Sequence, residues 1–381
     1  MLHANVIPSH LTRNHGVGKP RRAVGDPVAP LKQMTRFITI PEQAPGLLKV
    51  PFSIFDPKAS AAAVNAGKLV FHCVGDVGGI HGTATEEAIA VAMENQITEA
   101  AADARPAFLY LLGDVIYFNG QSAMYKTEFY EPYQFYPNLI FAVPGNHDGD
   151  TQVNKGDALD TEPSLYGFFQ NFCAAQPTYV SPYRMSMTEP YAYWTLDAPF
   201  VTMIGLYSNV EGSLDARGRM EQQAYLQQQM TAADPAKKLL ITVHHPPYSL
   251  DSVHGGTVDI LTAIDRAIQT SGRMPDAVLS GHVHNYQRFT RTVKGKTIPY
   301  VVAGAGGYAN DSRSMHKIQS QLLTATLPYQ TTMSDVMFEK FEENEPGFLR
   351  ITASAREILF EYFRVPFVGA AELIPFDSFT A

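Results

Sequence analysis

Two short apolar runs, residues 69–74 and 108–112, are each followed by a Gly-Asp pair, Gly75-Asp76 and Gly113-Asp114. Runs of this length, bounded by turn residues, predict strands buried on both faces. Between them Ile89, Met93 and Ile97 recur at helical spacing. Thr83 with Glu86 predicts a capping box, and the helix stops before Pro106. Strand, helix and strand in this order form a β-α-β unit with parallel strands and a right-handed crossover. Asp76 and Asp114 then lie at the same carboxyl edge of one sheet, where open α/β sheets carry their sites.

The pattern repeats along the chain. Residues 139–143 predict a strand that ends at Pro144-Gly145-Asn146-His147-Asp148. Residues 239–243 end at His244-His245-Pro246-Pro247-Tyr248, and residues 277–279 at Gly281-His282-Val283-His284. Residues 298–303 end at a glycine-rich run, Gly304 to Gly307, which lacks the lysine and helix context of a nucleotide loop. Further strands are expected at 191–196 and 200–206, and helices at 168–173, 222–230 and 258–270, the last stopped by Gly272. Residues 149–190 are expected to rim the site, residues 310–345 to be polar and irregular, and residues 348–363 to form a terminal hairpin. Residues 1–45 read as a tail or arm, with an edge strand within 36–50, and residues 46–381 as one catalytic domain with its core motifs in 69–307.

The chain has 381 residues, 45% hydrophobic and 17% charged, enough for a large core. A net charge of −8 argues against nucleic acid as a partner, which needs a basic surface. Cys73 and Cys173 are read as unpaired thiols. No apolar run reaches membrane-spanning length, and no apolar segment follows Arg21-Arg22 as an export signal requires. The expectation is a cytoplasmic protein that does not enter a membrane, the alternative being export from a precursor whose leader is missing. Oligomeric state is not legible.

The strand ends thus gather Asp76, Asp114 with Tyr117, Asn146 with His147, His244 or His245, and His282 with His284. His244 is favoured over His245 because it directly follows its strand. Carboxylates that can bridge, and a His-x-His pair that can give one imidazole to each of two ions, suit a two-metal site of oxygen and nitrogen ligands. Such a site clamps a phosphoryl group and acidifies a water.

The ordered blocks Gly-Asp-x-Gly, Gly-Asp-x-x-Tyr, Gly-Asn-His-Asp, His and Gly-His-x-His resemble the calcineurin-like metallophosphoesterase superfamily. More narrowly they resemble its purple acid phosphatase branch. Gly78 stands where most of the superfamily has a histidine ligand, and Tyr117 matches the tyrosine that replaces it in the purple enzymes. The resemblance implies an α/β fold of four layers, αββα, with two mixed sheets between helices. It implies hydrolysis of a small phosphate ester by a metal-bound hydroxide, as an acid phosphatase-like monoesterase. A phosphodiesterase, or a non-catalytic interaction scaffold on the same fold, is the alternative.

By the same resemblance one metal, Fe(III), would be held by Asp76, Asp114, Tyr117 and His284. A second, Zn(II), Fe(II) or Mn(II), would be held by Asp114, Asn146, His244 and His282. His147 would donate a proton, with Asp148 orienting it. Asn146, His147 and His245 would face the substrate. His254 falls near the place of another active-site histidine, one residue off in its spacing from His244.

Overall fold

The strand predicted at 69–74 forms as Lys68–Val74 and is buried from Leu69 onward, which is why its sequence is continuously apolar. The protein is described here from a computed structural model that covers residues 22–28, 47–79, 81–150, 162–210, 214 and 221–381. Most of the tail expected at 1–45 therefore lies outside the described residues, as do Arg21 and residues 151–161 of the expected rim.

In chain order the elements are β1 (Lys49–Pro51), α1 (Phe52–Phe55), α2 (Pro57–Ala66), β2 (Lys68–Val74), α3 (Ala84–Glu99), β3 (Phe108–Leu111), β4 (Leu139–Ala142), α4 (Asn146–Gly149), α5 (Tyr166–Phe172), β5 (Trp194–Ala198), β6 (Val201–Leu206), α6 (Glu221–Ala232), β7 (Lys238–Val243), α7 (Val258–Ser271), β8 (Ala277–Ser280), β9 (Tyr286–Val293), β10 (Lys296–Ala303), β11 (Tyr329–Gln330), β12 (Val336–Glu342), β13 (Gly347–Ser354), β14 (Ile358–Arg364) and β15 (Asp377–Thr380). They build two mixed sheets. One has the order β1-β5-β6-β7-β8-β10-β9-β12-β11, the other β15-β14-β13-β2-β3-β4. β2, β3 and β4 run parallel, as do β6, β7, β8 and β10. Their carboxyl ends are the strand ends singled out in the sequence.

The sheets meet through large side chains. The Phe141 ring of β4 packs 5.6 Å from the Trp194 ring of β5, and the Thr242 hydroxyl of β7 donates to the Tyr110 hydroxyl of β3 at 3.0 Å. Helices complete the αββα sandwich. α7 buries Ile260, Leu261, Ile264 and Ile268, each worth roughly 1.5–3 kcal/mol on burial, and ends at Gly272 with φ 68°. α3 buries Ile89, Met93 and Ile97 as expected.

Some expectations need correction. The Thr83 side chain makes no bond to the α3 backbone; its hydroxyl donates to Glu87 at 2.6 Å. Glu86 is instead buried, with its carboxylate oxygens unpartnered among the described residues, so the capping box does not form. Residues 310–345 are not wholly irregular, since β11 and β12 lie there. The chain beyond His284 runs directly into β9. Tyr286 and Arg288 are packing residues of that strand, each donating to Asp377 at 2.7 Å. Both cysteines are free thiols, Cys73 buried and Cys173 partly so.

Candidate metal centre

Asp76, Asp114 and His282 have left-handed backbone conformations, with φ of 59°, 52° and 67°. For residues with a side chain this costs on the order of 1–3 kcal/mol each, a cost typical of functional sites. Asp76 stands two residues beyond the end of β2 and Asp114 three beyond the end of β3, and the Asp76 N–H donates to the Gly113 carbonyl at 2.9 Å. The turn brings the Asp76 carboxylate against the neighbouring loops. A Cβ on Gly281 or Gly304 would lie 2.5 or 2.6 Å from Asp76 Oδ2, so both positions need glycine. Oδ2 accepts the His282 N–H at 2.7 Å.

Ligand-type atoms fall into two adjoining clusters. In the first, the Tyr117 hydroxyl donates to Asp76 Oδ1 at 3.0 Å, and His284 Nε2 lies 3.3 Å from that hydroxyl and 3.4 Å from Asp76 Oδ1. In the second, His244 Nε2 lies 3.2 Å from Asp114 Oδ2, 3.1 Å from Asn146 Oδ1 and 3.3 Å from His282 Nδ1. Asp76, Asp114 and His244 join the two, each offering an atom within 4.8 Å of the others.

The donor set fits cations. His244 Nδ1 is 2.8 Å from the Leu112 carbonyl, which can only accept, so the neutral ring presents its lone pair at Nε2. That lone pair faces a carboxylate oxygen, an amide oxygen and another ring nitrogen. Without a cation the conflict is relieved by protonating His244: burial opposes the charge, but Asp114 outweighs it and raises His244 to about 9. Burial raises Asp76 to about 8, with Asp114 adding to it against the pull of His244. Burial also works against an ionised Asp114, yet His244 and His147 hold it below the usual carboxylate range. Burial keeps His282 well below the ordinary imidazole range and His284 down at about 3, so both rings are neutral and able to ligate. The Tyr117 phenol is pushed well up by burial, Asp114 and Asp76, so it keeps its proton unless a highly charged ion adjoins it.

Gly78 and Tyr117 are one structural fact. A Cβ at Gly78 would lie 2.8 Å from Ile116 Cα and 2.9 Å from Tyr117 Cδ2. The tyrosine ring and the backbone of residues 115 and 116 together occupy the space that a side chain at 78 would need.

His147 stands at the start of α4, its N–H donating to Asp114 Oδ1 at 2.9 Å. Its Nδ1–H donates to the Phe118 carbonyl at 2.7 Å, which leaves Nε2 as the nitrogen that can pass a proton on. The expectation that Asp148 orients this ring is corrected. Its carboxylate accepts N–H groups of Gly145 at 2.7 Å, Val115 at 3.1 Å and Ile116 at 3.4 Å, and so ties α4 to the Asp114 loop. Burial and Asp114 raise Asp148 to about 7.

His245 is buried beside the cluster, its ring 4.3 Å from that of His282. Ser208 Oγ accepts the His245 N–H at 3.2 Å and lies 2.7 Å from His245 Nδ1, so Ser208 fixes the ring and leaves Nε2 as its unengaged nitrogen towards His282. His254 reaches the same place, its ring 4.3 Å from His282 and 4.8 Å from His316.

His316 escaped sequence reasoning. It stacks on His284 at 4.2 Å and accepts the His284 N–H at Nδ1, 3.1 Å away, while its own N–H donates to the His284 carbonyl at 3.1 Å. It lies in a segment without periodicity, brought in by long-range bonds such as the bridge of Asp251 with Ile318 and the Asn285 amide donating to the His316 carbonyl at 2.7 Å. Arg22 was also missed. It donates to the carbonyls of Ser249 and Asp251, the latter at 2.8 Å, on the loop that carries His254. No side-chain pattern signals it, because its partners are backbone.

The calcineurin-like phosphoesterase family profile matches residues 69–286, more than half of the chain. Purple acid phosphatase 21 of Arabidopsis thaliana is 26% identical over 145 residues, 36% of this chain and 32% of that protein. Purple acid phosphatase 22 of the same plant is 26% identical over 137 residues, 34% and 30% of the two chains. The matched stretch thus spans about a third of these relatives. Among solved structures, purple acid phosphatase PPD1 from yellow lupin (Lupinus luteus) seeds superposes with a TM-score of 0.58 at 16% identity, covering 82% of this chain and 53% of that one. GAP50, described as the anchor in the inner membrane complex of Plasmodium, gives 0.54 at 13% identity, covering 82% and 88%. At such identities these likenesses show the fold.

Proposed function

The chain belongs to the calcineurin-like phosphoesterase family, and on that premise we propose that it is a phosphomonoesterase of the purple acid phosphatase kind, acting on a small phosphate ester. The observation that carries this is the pair of adjoining clusters, Asp76–Tyr117–His284 and Asp114–Asn146–His244–His282, joined through the two aspartates. Asp76, Asp114, Tyr117 and His284 would hold Fe(III), and Asp114, Asn146, His244 and His282 would hold Zn(II), Fe(II) or Mn(II). When bound, such a pair supplies an acidified water and neutralises charge on the phosphoryl group.

The chain's own residues do the rest. His147 carries the proton for the departing oxygen on Nε2, with Nδ1–H fixed by the Phe118 carbonyl. Asp148 acts through the backbone, holding α4 and the Asp114 loop in register. His245, together with His254 and Asn146, would hold phosphoryl oxygens. A non-catalytic role needs none of this buried, mutually strained donor set.

The test is hydrolysis of phenyl phosphate and bis(4-nitrophenyl) phosphate before and after chelator treatment. The proposal expects turnover of the monoester, its loss on chelation and its return with iron and zinc. Faster turnover of the diester would make the protein a phosphodiesterase, and no turnover of either ester after metal loading would contradict the phosphoesterase reading.

A further inference from the structure

We propose that the rim beside His147 is a stacking site for a flat aromatic ring carried by the leaving group, an aryl ring on the ester oxygen or a nucleobase beyond a sugar. The inference rests on the phosphoesterase reading and adds a substrate class to it. Phe118 is 46% exposed, although Tyr117 next to it is buried. Its ring centroid lies 5.8 Å from that of His147, 6.2 Å from that of Tyr117 and 6.3 Å from that of Tyr308. Tyr308 in turn lies 4.7 Å from Tyr117 and 5.1 Å from the exposed ring of His81. These rings form one continuous aromatic wall, and His147 is part of it, 4.6 Å from Tyr117.

The chemistry assigns this wall to the leaving group. A proton donor must reach the oxygen that departs, so the organic group stays on the donor's side of the phosphorus. His245 and His254 gather against His282, away from this wall, while His284, with His316 stacked on it, packs 4.1 Å from Tyr308 at the buried end of the wall. His245 and His254 suit phosphoryl oxygens, while the exposed Phe118 ring offers no hydrogen-bonding group to a polyol. Aromatic groups pair at centroid separations of about 4.5–7 Å, and stacking of a base on an exposed ring is worth about tenfold or more in affinity.

Binding and turnover separate the two claims. The metal-loaded protein would be titrated by calorimetry with phenylphosphonate and with methylphosphonate, whose carbon–phosphorus bonds are not hydrolysed. The expected result is about tenfold tighter binding of the phenyl ligand by the wild type, with the ratio of the two dissociation constants falling towards one in Phe118→Ala. Phe118→Leu, which keeps apolar bulk without the ring, should lose most of the preference as well. Turnover of adenosine 5′-phosphate against ribose 5-phosphate, which both leave through a primary sugar 5-oxygen, then tells a nucleobase from a smaller aryl group. A ratio near one in the wild type, or a preference unchanged in both variants, would overturn the stacking site. A preference that persists in the wild type and is lost in the variants, with no ester hydrolysed, would keep the aromatic site and remove the phosphoesterase reading.

Discussion

Tyr117 and Gly78 make a pair in which one residue exists because the other is small. The Tyr117 ring and the backbone of residues 115 and 116 fill the space that a side chain at 78 would take, so a histidine ligand at 78 would need this loop to move. If the phenolate meets ferric iron, ligand-to-metal charge transfer colours the oxidised protein violet. Tyr117→Phe should bleach an iron-loaded sample; an unchanged visible band in that variant would take Tyr117 out of the metal's coordination. His147→Ala should retain its metals and lose on the order of 10²–10⁴ in kcat. The loss should shrink for esters with good leaving groups, and a uniform loss across leaving groups would make His147 a phosphate clamp rather than a proton donor. Asp76, Asp114, Asn146, His147, His244, His282 and His284 were legible because they fall within a few residues of the ends of apolar runs, most of them beside a glycine turn. The placing of the Asp148 carboxylate was not, since it is set by which backbone N–H groups the loops turn inward.

Among elements, the strands that end at the site were read because burial on both faces makes them uniformly apolar. β9 and β12 were not. In β12, Val336, Phe338 and Glu342 are buried while the residues between them are half-exposed, so lysine and glutamate interrupt the run and it reads as polar loop. The loop carrying His254 depends on chain far away in sequence. Residues 22–28 lie along it: the Ser249 N–H donates to the Pro27 carbonyl at 2.9 Å, and Arg22 spans Asp26, Ser249 and Asp251. Hydrogen bonds from a charged donor are worth roughly 1.5–3 kcal/mol. Arg22→Ala should therefore speed amide exchange at residues 253–255 by about tenfold or more, with metal content unchanged. Exchange there as slow as in the wild type would mean that the loop holds itself.

The whole molecule places its site where two mixed sheets present parallel strand ends to one another, and acid should loosen that sandwich. His72 is buried in β2, its Nε2–H donating to Gln96 at 3.2 Å and its Nδ1 accepting from Tyr136 at 3.1 Å. Burial lowers it to about 3, against about 6.5 in the unfolded chain. The folded state binds this proton less readily, so its contribution to stability is complete above about pH 6.5 and fades as the pH falls towards 3. The urea midpoint should fall between about pH 6 and pH 4, and less steeply in His72→Gln; parallel slopes would remove His72 as a source of acid sensitivity. The four-layer architecture could be foreseen from the β-α-β unit and the resemblance, but not the strand order, which depends on long-range pairings such as β13 with β2. The central claim is that this edge holds two ions through a shared Asp114. It is tested by the metal content of protein purified without chelator, wild type beside Asp114→Asn. The account predicts about two equivalents per chain in the wild type and a loss at both sites in the variant; fewer than two in a fully loaded wild type, or two retained in Asp114→Asn, would contradict it.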